Sequence, residues 1–138
     1  MELDSAEGSG VIYAPALDDA ATSFSAEGRD LGLSVAAEDL PALRTGFLRG
    51  LRALTGSVLE SSEAETIGPL ITMEARHTFL QEGHARKRWV RLLYQGSTQV
   101  RLVAQGASVE QFHYWLPMFY ESMRTFRFGD WGVGAPFV

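Results

Sequence analysis

Cysteine is absent from the 138 residues. That excludes disulfides, thiolate nucleophiles and Cys-ligated metals, and it fits either redox compartment. No apolar run approaches the ~20 residues that a membrane-spanning helix requires. The opening stretch, MELDSAEGSG, has no apolar segment of the signal-peptide kind, so the chain reads as soluble and cytoplasmic unless a leader or domain was removed ahead of Met1. Gly-rich phosphate loops of the P-loop or Rossmann type and a Gly-x-Ser-x-Gly elbow are missing. Positive charge is in the minority, with 12 Lys and Arg against 17 Asp and Glu and a net charge of -5. Such a balance argues against nucleic acid as a partner. There is neither an internal repeat nor a low-complexity tract.

What is present is apolar content. At 46% hydrophobic residues the chain can bury one ordinary core. We expect residues 1–8 to be disordered, residues 9–129 to form a single α+β domain and residues 130–138 to form a Gly-rich tail containing Trp131 and Phe137.

The central stretch is residues 70–104, where apolar and polar residues alternate and Glu82-Gly83 and Gly96-Ser97 break the runs. Three antiparallel strands follow from this pattern. A two-residue turn at Glu82-Gly83 sets Met73 against Leu92, Ala75 against Val90 and Ile71 against Tyr94. For the second turn a two-residue loop would set Leu92 against Arg101 and mix the faces. A three-residue loop, Gln95-Gly96-Ser97, sets Leu92 against Val100 and keeps one apolar face, so the pattern predicts that loop. The polar face would then hold Glu74, Arg76, Lys87, Trp89, Arg91, Gln99 and Arg101.

Elsewhere, residues 11–15 and 22–29 read as two short paired strands around a turn at residues 17–20. Leu40, Leu43, Phe47, Leu51 and Leu54 recur at helical spacing and predict a helix over about 39–55, with Pro41 in its first turn and Gly56 at its end. Gly46 and Gly50 inside it suggest close approach of the helix to the sheet, with a ligand there as the alternative. Residues 58–65 suit another strand. Ser108, with Gln111 three residues on, predicts a capped helix over about 109–124, interrupted near Pro117, with Phe112, Leu116, Phe119 and Met123 buried. Residues 125–128 look like a closing strand.

This order of elements suggests a family. Strands precede a helix that opens EDLPAL at residues 38–43. A meander ending in RLVAQG follows, and then SVEQFHYWLPMFYESMRTFRF. The pattern resembles the Mog1/PsbP-like superfamily, including bacterial DcrB-like domains, over roughly residues 22–128. Thr125-Phe126-Arg127-Phe128 approximates the Ser-Phe-x-Phe-like ending of that family, whereas its N-terminal Pro-x-x-Trp segment has no counterpart here. The resemblance implies an α/β/α sandwich, with helices on both faces of an antiparallel sheet. It also implies a binding or accessory module working through protein partners, which elsewhere range from Ran-type GTPases to photosystem II. The family shares no active site, so no residue role carries over.

Candidate chemistry centres on the polar face of the meander. There Glu74, Arg91 and Arg101 would form one cross-strand row with Arg76 opposite Trp89. Such a set could hold a phosphate, a carboxylate or an acidic partner, or could be a neutralised sheet face. Arg86-Lys87-Arg88-Trp89 invites a nucleic-acid reading, but strand alternation splits the cluster. His77, His84 and His113 do not converge in the sequence pattern, so neither a metal nor a cofactor is expected. Tyr114 and Trp115 lie off the buried stripe of the second helix, as interface anchors do. The chain therefore reads as a non-enzymatic module acting by protein contact, with a second copy as one partner. The alternative is a binder of a small anion on Glu74, Arg76, Trp89, Arg91 and Arg101. A hydrolase or isomerase using His77 or His113 with Glu74 or Glu110 is the third reading.

Overall fold

The computed structural model describes residues 2–5, 8–13 and 21–126. Alternation of side chains dominates what forms. Strands β1 (Glu2–Ser5), β2 (Gly8–Tyr13) and β3 (Ser23–Asp30) lead into helix α1 (Leu40–Arg52). Then come β4 (Val58–Ile67), β5 (Leu70–Gln81), β6 (His84–Gln95) and β7 (Thr98–Gly106), followed by helix α2 (Val109–Thr125). Among the described residues the strands make one open antiparallel sheet in the order β1-β2-β3-β7-β6-β5-β4. Five of them, from β3 onward, carry the two helices, and the fold is α+β. Residues 2–5, expected to be disordered, instead pair with β2. The turn at residues 17–20 and the tail at 130–138 lie outside the described residues.

The first hairpin follows the pattern. Gln81 pairs with His84, and Glu82 and Gly83 both take positive φ, 54° and 78°, as a two-residue turn matching the strand twist requires. Ile71, Met73 and Ala75 therefore face Tyr94, Leu92 and Val90. The second hairpin departs from the expectation. Gln95 pairs with Thr98, so the loop is the two residues Gly96-Ser97, with Gly96 at φ 61°. Leu92 meets Arg101, and Leu93 meets Val100. A Gly-first pair is itself a favoured tight turn. The three-residue loop was inferred from the premise of a single apolar face, and the sheet has two.

Each face has its own core. Val100, Leu102 and Ala104 join Phe24, Ala26, Trp89 and Leu93 beneath α2, whose Phe112, Phe119 and Met123 are buried against them. Ile71, Met73, Leu92 and Tyr94 lie on the other face, where Leu40, Leu43 and Phe47 of α1 pack with Leu31 and Val35. Phe112 and Phe119 are fully buried, each contributing roughly 1.5–3 kcal/mol relative to exposure. The segment after β3 is fastened to the second hairpin by Leu31 N–H to Ser97 O (2.8 Å) and Val35 N–H to Gly96 O (2.9 Å). This brings α1 across to the β4–β5 side.

The helices begin as the sequence predicts. Ser108 Oγ accepts from Gln111 N–H at 3.1 Å, and Asp39 Oδ2 accepts from Ala36 N–H at 2.8 Å ahead of α1. No break occurs at Pro117, because α2 is continuous through it. Pro117 and His113 are both exposed, so the His113 carbonyl that Pro117 deprives of a donor lies on the water side. Thr125 ends α2, and Phe126 is its extended cap. The expected closing strand therefore does not begin there, and Arg127 and Phe128 lie outside the described residues. Gly46 and Gly50 do not mediate close approach, since a Cβ at either would meet nothing within 4 Å.

Close approach occurs at Gly106 instead. A Cβ there would fall inside contact distance of the Phe112 backbone. Gly106→Ala should therefore lower stability by about 2 kcal/mol through overpacking. Urea unfolding checks this, as a lower midpoint at unchanged slope. An unshifted midpoint would remove Gly106 as the residue that seats α2.

Candidate functional site

The polar residues picked out on the meander divide between the two faces. Glu74 and Arg76 on β5 stand opposite Arg91 and Trp89 on β6, under the edge of α2. Arg101 is not with them. The two-residue turn places it opposite Leu92 and, on the other side, opposite Glu27. Leu102 occupies the place in the row that Arg101 was expected to fill.

The remaining four close on themselves with the help of α2. Trp89 Nε1–H donates to Glu74 Oε2 at 2.7 Å. Arg76 Nη2–H donates to Tyr120 Oη at 2.7 Å. The Arg76 guanidinium lies 4.8 Å from the Trp89 ring centre and 5.4 Å from that of Tyr120, and the two rings meet edge to face at 5.0 Å. This is a cation–π clasp in a half-buried setting. Arg91 Nε reaches Glu74 Oε2 only at 3.9 Å. Beside it a hollow of about 500 Å³ is bordered by Glu63, Glu65 and Glu74 as well as by Arg44 and Arg91. With carboxylates in the majority, that hollow does not favour an anion. The cluster fastens α2 to the sheet, and its donors are largely consumed.

Sequence reasoning passed over a second cluster. Lys87 is buried, its Nζ 2.8 Å from Glu60 Oε1, 3.4 Å from His113 Nε2 and 5.2 Å from the Phe112 ring centre. Its neighbour on β7 is Gly106, which has no side chain to block it. That Lys87–Gly106 pairing was the available signal, and it needed the correct register. Arg86, by contrast, donates through Nη1 to Ala107 O at 2.6 Å.

The histidines do not converge. His84 and His113 are exposed, while His77 is fully buried. His77 and Glu74 lie on opposite faces by alternation, so they form no acid–base couple. Among the described residues no three His, Asp or Glu side chains gather as metal ligands. Neither ring nitrogen of His77 has a hydrogen-bond partner. Its ring stacks on Phe79 with centroids 5.6 Å apart. Burial, then the charges of Arg88 and Arg101, push His77 down to about 4, with Glu60 opposing. Burial and Arg101 likewise lower Arg88 to about 10. Arg88 donates to Gln105 Oε1 from Nε (2.9 Å) and Nη2 (2.6 Å), and lies 4.4 Å from the Phe79 ring centre.

The expected interface residues differ from each other. Tyr114 is 72% exposed. Trp115 is half-buried against the α2 core, and its Nε1–H donates to Gln111 Oε1 at 3.2 Å. The two rings meet edge to face at 5.1 Å.

No family model matches the chain, and no curated protein matches it in sequence. A solved structure with a similar fold is PA94 from Pseudomonas aeruginosa, a protein of unknown function described as a candidate regulator. The TM-score is 0.69 at 15% identity, covering 95% of this chain and 86% of that one. At this identity the likeness shows the fold alone.

His77 generates a pH dependence whose sign is fixed. The native ring is neutral, and the unfolded chain takes up a proton near pH 6.5 while the folded chain waits until about 4. Stability is therefore full above 6.5 and should fall by up to about 3 kcal/mol as pH drops through that window. His77→Phe keeps a ring against Phe79 and should flatten this part of the curve. Denaturant midpoints for both proteins between pH 7 and 4 provide the check; parallel curves would remove His77 as the cause.

Proposed function

We propose that the chain is a non-enzymatic binding module that acts by protein contact, with the outward side of α2 as the contact face and a second copy as partner. The observation that carries this reading is Tyr114, 72% exposed and braced edge-on by Trp115. A large aromatic side chain held rigid in water is what interface anchors look like before a partner arrives. Most of the charged groups that the sheet draws inward already have partners within the chain, such as Arg76 with Tyr120 and Lys87 with Glu60.

The second copy follows from charge along α2. Glu110, Pro117 and Arg124 recur every seven residues and share one stripe of exposed positions. An antiparallel pairing about a twofold axis at Pro117 sets Glu110 of each copy against Arg124 of the other, with the Tyr114 rings between. The β4 edge is the less suitable surface for self-pairing. It carries Glu60, Glu63 and Glu65 and a bulge between Leu59 and Ser61, features that keep an edge strand unpaired. The resemblance to Mog1/PsbP-like modules, which work through protein partners, agrees with the reading.

Sedimentation velocity tests it. A dimer is expected at about 100 µM protein, within the range of modest interfaces. Tyr114→Ser should return the chain to monomer, and Arg124→Glu should weaken the dimer while Glu110→Arg with Arg124→Glu restores it. A monomer at that concentration, or a dimer indifferent to Tyr114→Ser, overturns the proposal.

A further inference from the structure

The helices cover the sheet diagonally. On one face α1 lies over β4 and β5, and on the other α2 lies over β6 and β7. Among the described residues neither helix covers the α1 face where it continues onto β7 and β3. Along that boundary runs a groove of about 390 Å³. One wall is apolar, made by Phe47 and Leu51 of α1 with Leu92 of β6. The other is cationic, made by Arg29, Arg88 and Arg101, with Glu27 as the one carboxylate.

Three features mark this groove as a site. Arg101 is exposed and makes no hydrogen bond or ion pair among the described residues. It nevertheless stands near Arg88, so two like charges share one face with no carboxylate bonded to either. The groove is also kept open from above. Gly46 and Gly50 of α1 line it, and a Cβ on either would meet nothing within 4 Å. Each glycine costs a helix interior about 1 kcal/mol against alanine, and no packing contact here recovers that cost. A space left clear over an apolar floor, beside two arginines to which no carboxylate is bonded, matches a molecule with both kinds of surface.

We propose that the groove binds a small amphiphilic anion, its head group held by Arg101 and Arg88 and its apolar body lying along Phe47, Leu51 and Leu92 under the two glycines. The site lies on the face opposite α2 and is independent of the contact proposed there. It also differs from the Glu74, Arg76, Trp89 and Arg91 cluster, which lies on the α2 face beside a hollow with carboxylates in the majority.

Octanoate serves as the probe, with octanol and inorganic phosphate as controls for tail and head alone, each titrated into the full chain by heteronuclear NMR and calorimetry. Octanoate should bind with shifts along β6, β7 and α1, and both controls should bind at least about tenfold more weakly, the scale of one lost charge-assisted contact. Arg101→Ala, at an exposed position, should weaken octanoate by about tenfold with the melting temperature unchanged. Gly46→Leu with Gly50→Leu should raise the melting temperature, through better helix propensity, and abolish binding by filling the groove. That combination separates a site from a merely structural role. No octanoate binding, equal binding of octanol, equal binding of phosphate, or undiminished binding by either variant overturns the proposal.

Discussion

Everything in this fold depends on the parity of one turn. Gly96-Ser97 joins β6 to β7 with two residues, and side chains alternate with a period of two. Adding a single residue to that loop would move Val100, Leu102 and Ala104 from one side of the sheet to the other. As built, those three lie with Phe24 and Trp89 beneath α2, while Met73, Leu92 and Tyr94 lie beneath α1. Two apolar faces require two covers. The helices therefore lie on opposite sides, and the chain after β3 crosses the Gly96-Ser97 turn to get there, fastened by Leu31 and Val35.

The same parity governs the charges. Six of the Lys and Arg residues lie between residues 76 and 101, and a sheet covered on both faces draws several of them partly inside. Each is met in a different way. Arg76 is sandwiched by Trp89 and Tyr120, Lys87 is paired with Glu60, and Arg88 is bonded to Gln105 and laid on Phe79. His77 adopts the other solution open to a buried base and stays neutral. Arg101, at the uncovered margin, is left over. The leftover charge and the leftover aromatic, Tyr114, lie on opposite faces, which separates the proposed ligand surface from the proposed contact surface.

Diagonal coverage also explains why the exposed features cluster. A helix of 13 residues and one of 17 span only part of a seven-stranded sheet, so among the described residues each face keeps a part that neither helix covers. On the α2 face that part is rich in glutamate, at Glu63, Glu65 and Glu74. On the α1 face it is rich in arginine. The outer side of α2 has no sheet to face and presents Tyr114, 72% exposed, to water.

Much of the architecture was legible in residue order alone. Alternation gave the strands and the Glu82-Gly83 hairpin down to individual pairs, because a turn with two positive φ angles admits one register. Helical spacing and the Ser108 cap located α1 and α2 within a few residues, for these signals are local. What sequence could not determine was which side each strand of the second hairpin would show, since both loops satisfy local chemistry and only the presence of helices on both faces makes the mixed register stable. The fate of Arg101, the clasp around Arg76 and the burial of Lys87 follow from that choice. Each depends on contacts between residues distant in the chain, and tertiary packing alone brings those together.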